Sequence, residues 1–309
     1  MNKEKYITRR TASKLLTLGT SALLTNPLLF FQKNKKMNYR TIPSSNEKIP
    51  VVGLGTWQTF DVGDSESERA PLKEVLKILV EHGGSLIDSS PMYGRSEKVV
   101  GDLTTELQLK KRIFEATKVW TSSKEEGIRQ MNDSMELMQA NPIDLMQIHN
   151  LVDWKTHLKT LKKWKEEKKI RYIGITHYHQ GGYDEMEKIM KNESIDFIQI
   201  NYNLAVRDAA ERILPLAKDK GIAVLINRPY EGGSLFRKFK NKTFPIWAEE
   251  FDAKTWGQFF LKFILGNDAV TCVIPGTSKA KHMKDNVQAG FGKLPTPKHL
   301  NDMIRLIGD

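Results

Sequence analysis

The sequence predicts a single (β/α)8 barrel, and three observations lead to that fold class. From Met37 onward, eight short apolar runs rich in β-branched residues alternate with longer amphipathic stretches. These eight repeats occupy about 250 residues, the usual size of an eight-fold barrel. No Pro/Ser-rich linker or short internal repeat divides the region. One α/β domain over residues 37–309 therefore explains the pattern better than a doubly wound sheet.

Each predicted element has a local signature. Ser96 is expected to cap the helix that follows the second strand, with acidic Glu97 in its first turn. Residues 296–308 predict an amphipathic terminal helix. The predicted strands are Pro50–Trp57, Ser85–Ser90, Arg112–Trp120, Asp144–His149, Tyr172–His177, Phe197–Asn203, Ile222–Arg228 and Thr271–Pro275. The helical patterns include Glu68–His82, Lys124–Gln139, Trp154–Lys169 and Ala209–Lys220.

Composition excludes several classes of protein. Of the 309 residues, 39% are hydrophobic and 28% are charged, which is typical of a globular chain and not of a disordered, collagenous or coiled-coil one. The lone cysteine, Cys272, excludes an intrachain disulfide framework. No His, Asp or Glu spacing repeats at metal-ligand geometry, so no metal is expected.

The net charge of +11 is concentrated at the N-terminus. Of the 48 basic and 37 acidic residues, eight and one lie in residues 1–36, so the rest of the chain has a net charge of only +4. A basic chain can bind nucleic acid, but this distribution gives no support to a nucleic-acid partner.

The first 36 residues are predicted to be a signal or an anchor and not part of the fold. Thr8–Lys14, with paired Arg9 and Arg10, resembles a twin-arginine export signal and precedes an uncharged run over residues 15–31. We expect export machinery to recognise the arginine pair and the protein to be periplasmic. Because no clear Ala-x-Ala cleavage site follows, residues 15–31 could instead remain as a membrane anchor. The alternative to a twin-arginine signal is an ordinary basic n-region in which the arginine pair occurs by chance.

Four polar residues stand near the carboxyl ends of predicted strands, where barrels place their chemistry. Asp88 ends the second strand and Tyr93 follows it, Lys118 lies near the end of the third, and His149 ends the fourth. The strands are neighbours in the predicted barrel, so the four side chains are expected to converge. Taken singly, each has a structural alternative: a turn-bonding aspartate, a rim tyrosine, a solvated lysine or a core histidine.

Three segments resemble the aldo-keto reductase superfamily. They are Val52–Trp57, Ile87–Gly94 and Ile274–Thr277, and the likeness runs in order from about residue 37 to 291. The resemblance implies a barrel that binds NADPH or NADH in an extended pose without a Rossmann domain. Gly53 and Gly55 agree with that absence, because no third glycine completes a dinucleotide fingerprint.

The resemblance assigns the four polar residues to carbonyl reduction. Hydride addition leaves negative charge on the carbonyl oxygen, which must be hydrogen-bonded and protonated. Tyr93 would be the general acid, and Lys118 would lower the pKa of its phenol from about 10. Asp88 would hold Lys118 in place, and His149 would orient the carbonyl oxygen. In the oxidative direction Tyr93 would be the base.

The resemblance also implies a nicotinamide site with several departures from the usual pattern. Thr176 and His177 replace the usual Ser-Asn pair at the carboxamide, and Gln199 matches the family glutamine, although it could simply satisfy backbone groups. Asn227 stands where a tyrosine usually stacks on the nicotinamide, so Tyr230 or Trp57 would have to offer an aromatic face. The remaining residues expected at this end are Gly55, Thr56 and Arg228.

The last strand and the helix after it are expected to hold the phosphates and the adenine. Lys279 and Lys281 could meet a 2′-phosphate, so NADP is the expected cofactor. NAD is possible, because His282 replaces an arginine that many relatives carry. The alternative for the lysines is a solvated helix face with no role in binding. The other residues expected here are Pro275, Gly276, Thr277, Asp285 and Asn286.

The leading functional prediction is an NAD(P)H-dependent oxidoreductase that reduces an aldehyde or ketone, or oxidises an alcohol or sugar hydroxyl. Trp57, Trp120 and Trp154 could wall an apolar substrate site, or merely pack at the rim. Two other classes stay open: a nucleotide-binding sensor or regulatory protein with little or no turnover, and a membrane-tethered interaction protein that uses the barrel as a scaffold.

Overall fold

The structure is a computed structural model that describes residues 36–308. The predicted export signal, with Arg9, Arg10 and the uncharged run, lies outside these residues. Within residues 36–308, no helix is both long and apolar enough to cross a membrane.

Eight parallel strands form the barrel and confirm the predicted fold class. They pair in chain order, and parallel bridges from Val52 to Val273 and from Gly55 to Gly276 bring the last strand against the first. The strands are β3 Leu54–Gly55, β4 Leu86–Asp88, β5 Phe114–Val119, β6 Ile143–His149, β7 Ile170–His177, β8 Phe197–Asn201, β9 Ala223–Asn227 and β10 Cys272–Val273.

Amphipathic helices follow the strands and cover the outside of the barrel. Their apolar residues, such as Leu76 and Leu161, pack with the outward-facing strand residues in one continuous buried cluster. The helices are α1 Glu66–Glu81, α2 Ser96–Glu106, α3 Lys124–Leu137, α4 Trp154–Glu166, α5 Tyr183–Asn192, α6 Ile213–Lys220, α7 Ser234–Lys238, α8 Trp256–Leu265, α9 Ala280–Gln288 and α10 Pro297–Gly308.

The first predicted strand, Pro50–Trp57, is divided in the structure. Its start belongs to an antiparallel hairpin of β1, Tyr39–Thr41, and β2, Lys48–Pro50, and the barrel strand is only β3. Ile42 and Ile49 of the hairpin join the cluster of residues inside the barrel. The hairpin therefore covers the amino end of the barrel, opposite the strand ends that carry the polar residues.

The barrel interior is apolar below and polar at the carboxyl end. Successive side chains of a strand point to opposite faces, so every second residue points inward. On β5 the inward series runs from Phe114 through Ala116 to Lys118, and on β6 it runs from Leu145 to His149. The alternation that fills the lower layers thus also delivers the polar side chains to the top of the barrel.

The predicted capping role of Ser96 is wrong. Arg95 is the N-cap of α2, and Ser96 is the first helical residue, with its hydroxyl buried and without a hydrogen-bond partner in residues 36–308. Glu97 does lie in the first turn, but its carboxyl group is buried and accepts a hydrogen bond from Thr117. Burial raises the pKa of Glu97. This helix start is therefore fixed by packing against β5 and not by a side-chain cap.

Candidate active site

The four polar side chains from neighbouring strand ends converge at the carboxyl end of the barrel. The Nζ of Lys118 lies 2.7 Å from Oδ2 of Asp88 and 4.9 Å from the centroid of the Tyr93 ring. The Tyr93 and His149 rings meet edge to face, with centroids 5.9 Å apart. The register of three adjacent parallel strands, together with the loop after β4, produces this cluster.

Lys118 and Asp88 form a buried ion pair. The Lys118 side chain is 0% exposed and also donates to the carbonyl oxygen of Ser89 at 2.6 Å. Burial alone would lower the pKa of Lys118, but the negative charge of Asp88, together with Tyr93, outweighs burial and raises that pKa. Lys118 is therefore an ammonium group at neutral pH.

Two glutamines occupy the other oxygen of Asp88. The Nε2 atoms of Gln147 and Gln199 donate to Oδ1 at 2.9 and 2.8 Å. The carboxylate consequently has an ammonium group on one oxygen and two amide donors on the other. Sequence reasoning missed Gln147, although it stands two residues before His149 and so points into the barrel like that residue.

Tyr93 is a protonated phenol near neutral pH. Burial raises the pKa of Tyr93, and the positive charge of Lys118 opposes that shift without cancelling it. Lys118 thus acts in the expected direction, but the expected net lowering of the Tyr93 pKa is not what the structure gives. The phenol is held as a proton donor beside a cation that stabilises its conjugate base.

His149 is a neutral ring at the edge of the same cluster. Its Nδ1 lies 3.2 Å from the Ser90 hydroxyl, and its centroid lies 6.2 Å from that of Trp120. Burial lowers the pKa of His149 to about 3, with smaller contributions from Lys118 and His177. His149 therefore offers a hydrogen bond to a ligand and not a positive charge.

A cavity of about 910 Å³ opens above these residues. Its lining includes Asp88, Tyr93 and His149. The residues predicted to bind cofactor that line it are Gly55, Thr56, Trp57, Thr176, Gln199, Asn227, Arg228, Gly276, Asp285 and Asn286. Lining residues that sequence reasoning missed include Met92, Asn150, Tyr178 and Phe236. Met92, Asn150 and Tyr178 stand in loops, where no periodic pattern marks the inward direction, and Phe236 lies in the short helix α7.

At the predicted carboxamide site, Gln199 is hydrogen-bonded to its neighbours and two asparagine side-chain oxygens are unpaired among the described residues. Oε1 of Gln199 accepts from the hydroxyl of Thr176 and from Nδ2 of Asn227, both at 3.4 Å. The Oδ1 atoms of Asn227 and Asn150 are buried without a hydrogen-bond partner among the described residues, and both residues line the cavity. Buried acceptors of this kind fit an amide donor of a bound molecule such as nicotinamide.

Five residues predicted to bind cofactor do not line the cavity: His177, Pro275, Thr277, Lys279 and Lys281. Thr176 faces the interior, so the next residue, His177, turns away; its ring packs within 2.4 Å of where a Cβ on Gly182 would lie. Thr277 accepts a hydrogen bond from the amide of Lys279 at 3.1 Å, which shapes the turn before α9. Lys279 itself is exposed.

The expected aromatic substitutes for a stacking tyrosine are both at the cavity. Tyr230 donates its hydroxyl to Oδ1 of Asn286 at 2.6 Å, and its ring centroid lies 4.9 Å from that of Phe236. Trp57 is 47% exposed at the mouth. Trp154, expected at the substrate wall, instead donates to Glu185 of α5 at 3.0 Å and does not line the cavity.

Two glycines allow the barrel seam to close beside the cavity. A Cβ on Gly55 would lie 2.8 Å from the carbonyl oxygen of Ile274, and one on Gly276 would lie 3.1 Å from that of Gly55. Close backbone packing at the seam thus leaves no room for a side chain at Gly55. Asp285 accepts hydrogen bonds from Thr255 and Gln258, which fix its carboxylate at the far end of the cavity.

No group of three or more metal-ligating side chains occurs in the part of the chain that the structure describes.

Comparisons with known proteins agree with this architecture. A model of the aldo/keto reductase family matches residues 51–300. Similar proteins include aldo-keto reductase YhdN of Bacillus subtilis, 27% identical over 62% of this chain and 61% of that protein. Methylglyoxal reductase YeaE of Escherichia coli is 24% identical over 79% of this chain and 86% of that protein.

Solved structures show the same fold. An aldo/keto reductase from Klebsiella pneumoniae, in complex with NADP and acetate, superposes with a TM-score of 0.74 at 21% identity, over 88% of this chain and 95% of that one. The family match covers most of the described barrel, including the strand ends that carry Asp88, Lys118 and His149. The chain therefore belongs to the aldo/keto reductase family, a family of NAD(P)-dependent oxidoreductases.

Proposed function

We propose that this protein uses NADP(H) to reduce an aldehyde or ketone, or to oxidise the corresponding alcohol or sugar hydroxyl. The observation that carries the proposal is the convergence of Tyr93, the Lys118–Asp88 ion pair and His149 on one cavity. A protonated phenol beside a buried ammonium is suited to donating a proton where negative charge develops.

The protein groups have distinct roles in this reaction. Bound NADPH supplies the hydride. Tyr93 donates its phenolic proton to the carbonyl oxygen of the substrate, and Lys118 stabilises the phenolate that remains. Asp88, which accepts from two amides, binds the Lys118 ammonium with 2.7 Å between Oδ2 and Nζ. This ion pair holds the positive charge next to the phenol. His149 donates a hydrogen bond that orients the carbonyl oxygen.

NADP is favoured over NAD by the cations near the start of α9. Lys279 and Lys281 are both exposed there, close in sequence to the cavity residue His282, and can pair with a 2′-phosphate. The Klebsiella pneumoniae relative was solved with NADP. Replacing both lysines by alanine should raise the dissociation constant for NADPH roughly tenfold and leave that for NADH nearly unchanged. Equal weakening of both would contradict the 2′-phosphate assignment.

Methylglyoxal is a reasonable first substrate to test, because the relative YeaE is a methylglyoxal reductase. The experiment is an NADPH titration of the purified chain by fluorescence, followed by NADPH oxidation with methylglyoxal and a panel of larger aldehydes and ketones. Binding and turnover together would support the reductase. Binding without turnover on any carbonyl would favour the nucleotide-binding sensor, and the absence of binding would favour the scaffold.

We also propose that the protein is exported, on the strength of its first 36 residues. Arg9 and Arg10 precede an uncharged run over residues 15–31 that can serve as a signal or as a membrane anchor. Cell fractionation of the wild type and of an Arg9→Lys, Arg10→Lys double variant tests this. We expect the wild type outside the cytoplasm and the variant retained inside; a cytoplasmic wild type would contradict export. The mass of the exported protein then distinguishes cleavage from anchoring.

A further inference from the structure

The residue Ser90 makes a buried contact with the ring of His149. Its side chain is 0% exposed, and its Oγ lies 3.2 Å from Nδ1 of His149. The same oxygen accepts a hydrogen bond from the backbone amide of Met92 at 3.4 Å. The serine hydroxyl therefore lies between a backbone donor and the imidazole, inside the loop that carries Tyr93.

We propose that Ser90 is a positioning residue that fixes His149 in the tautomer with its proton on Nε2. The hydroxyl of Ser90 donates to Nδ1, which keeps that nitrogen unprotonated. The catalytic value of this arrangement rests on the proposed function, since it matters when a carbonyl oxygen approaches Nε2. The tautomer itself is a property of the free protein.

The direction of the hydrogen bond follows from the groups around the serine oxygen. A hydroxyl has one hydrogen to donate. Among the described residues, Nδ1 of His149 is the one acceptor within hydrogen-bond distance of Ser90 Oγ. If Nδ1 carried the proton instead, Oγ would accept from both Met92 and His149, and its own hydrogen would be buried without a partner. Such an unpaired buried donor is strongly disfavoured.

A neutral ring has to choose one tautomer. Because burial lowers the pKa of His149 to about 3, the imidazole carries one proton at neutral pH. The ammonium of Lys118 is the nearby cation and further disfavours a second proton. The Asp88 carboxylate is engaged by Lys118 and two amides, so it does not compete for the ring.

The tautomer of His149 decides whether the ring presents a hydrogen-bond donor or an acceptor to the cavity. Nε2 makes no hydrogen bond to any residue within 36–308, and His149 lines the cavity. With the proton on Nε2, the ring presents a donor to a carbonyl oxygen. With the proton on Nδ1, it would present a lone pair to that oxygen, and the two acceptors would repel. Ser90 thereby makes His149 a donor without any charge on the ring.

Nitrogen-15 NMR of the ring nitrogens tests this directly in the full chain without substrate. The protein has seven histidines, so the His149 signals are assigned by their loss in His149→Gln. We expect His149 in the wild type to be protonated on Nε2, with Nδ1 unprotonated and hydrogen-bonded. Protonation of Nδ1 in the wild type would overturn the proposal, whatever the variants show.

Two neighbouring serines provide a matched comparison. Ser90→Ala should move the Nδ1 resonance toward that of a nitrogen without a hydrogen bond and raise the fraction of the Nδ1–H form. Ser89→Ala removes an equally buried hydroxyl that bonds Thr56 and not His149, so the His149 resonances should stay in place. Unchanged His149 resonances in Ser90→Ala, or equal shifts in both variants, would refute the assignment.

Kinetics separate this proposal from the proposed function. Ser90→Ala should lower kcat for carbonyl reduction about tenfold while the dissociation constant for NADPH stays the same. The reason is that the variant weakens the hydrogen bond from His149 Nε2 to the substrate oxygen and changes no contact with the cofactor. Ser90→Thr, which retains the hydroxyl, should recover part of the loss. If the wild type binds nucleotide but reduces no carbonyl, the function fails while the NMR result still decides the tautomer.

Discussion

Replacement of Lys118 by methionine removes a cation from the centre of a fully buried network. The Lys118 side chain is 0% exposed and its partner Asp88 is 4% exposed, with 2.7 Å between Nζ and Oδ2. In Lys118→Met the carboxylate keeps only neutral amide donors and becomes an uncompensated buried charge. Loss of one partner of a buried ion pair costs about 3–5 kcal/mol in the free energy of unfolding.

A double-mutant cycle measures how much of that cost belongs to the pair. Asp88→Asn should destabilise by a similar amount, because it leaves the ammonium buried without a counter-ion. The double variant Asp88→Asn, Lys118→Met removes both charges. Its loss of unfolding free energy should therefore be smaller than the sum of the two single losses by about 2–3 kcal/mol. Urea unfolding at pH 7, followed by fluorescence of the six tryptophans, gives these values.

A surface pair provides the control for this cycle. Lys77 and Glu74 lie 2.7 Å apart on α1 and are 43% and 54% exposed, so Lys77→Met should change the free energy of unfolding by less than about 1 kcal/mol. If Lys118→Met were no more destabilising than Lys77→Met, or if the two central substitutions were additive, the ion pair would not be the stabilising contact we describe.

Further predictions concern pH and packing. Because the pKa of His149 is lowered to about 3 in the folded state, the unfolded chain binds a proton there first. The stability contributed by the neutral ring is fully present above the unfolded pKa of about 6.5 and is lost as pH falls toward 3. In His149→Gln the urea midpoint should therefore change less with pH between about 6.5 and 3 than it does in the wild type. An equal pH dependence of the midpoint in both proteins would contradict the shift. At the barrel seam, Gly55→Ala should lower stability by about 1–3 kcal/mol in thermal unfolding, because its Cβ would meet the Ile274 carbonyl oxygen at 2.8 Å. Gly308→Ala, where nothing lies within 4 Å, should be neutral, and equal effects would refute the packing argument.

The barrel could be predicted because its periodicity is repeated eight times along the chain. A short apolar run followed by an amphipathic stretch specifies a strand and its covering helix, and the parallel connection then fixes their order. Asp88, Lys118 and His149 could be placed together for the same reason, since each stands at a strand end. The division of the first strand was not predictable, because Pro50 fits the hairpin and the barrel pattern equally well.

Side-chain direction at the rim was the weaker part of the sequence prediction. Thr176 and Gln199 continue the inward series of their strands, whereas His177 is one residue out of that series and packs on Gly182. Gln147 follows the inward series too, but a single glutamine in an apolar strand carries no motif. The contact between Ser90 and His149 depends on the conformation of the loop after β4, which the residue types do not specify.

The most direct test of the central claim is the effect of Tyr93→Phe on binding and on reduction. The substitution removes the phenolic proton and leaves the ring, which contacts His149 with centroids 5.9 Å apart. We expect the dissociation constant for NADPH to stay within about twofold of the wild type, while kcat for carbonyl reduction falls by about 10²–10⁴. Reduction at the wild-type rate by Tyr93→Phe would show that another group supplies the proton and would contradict the assignment of Tyr93 as the acid.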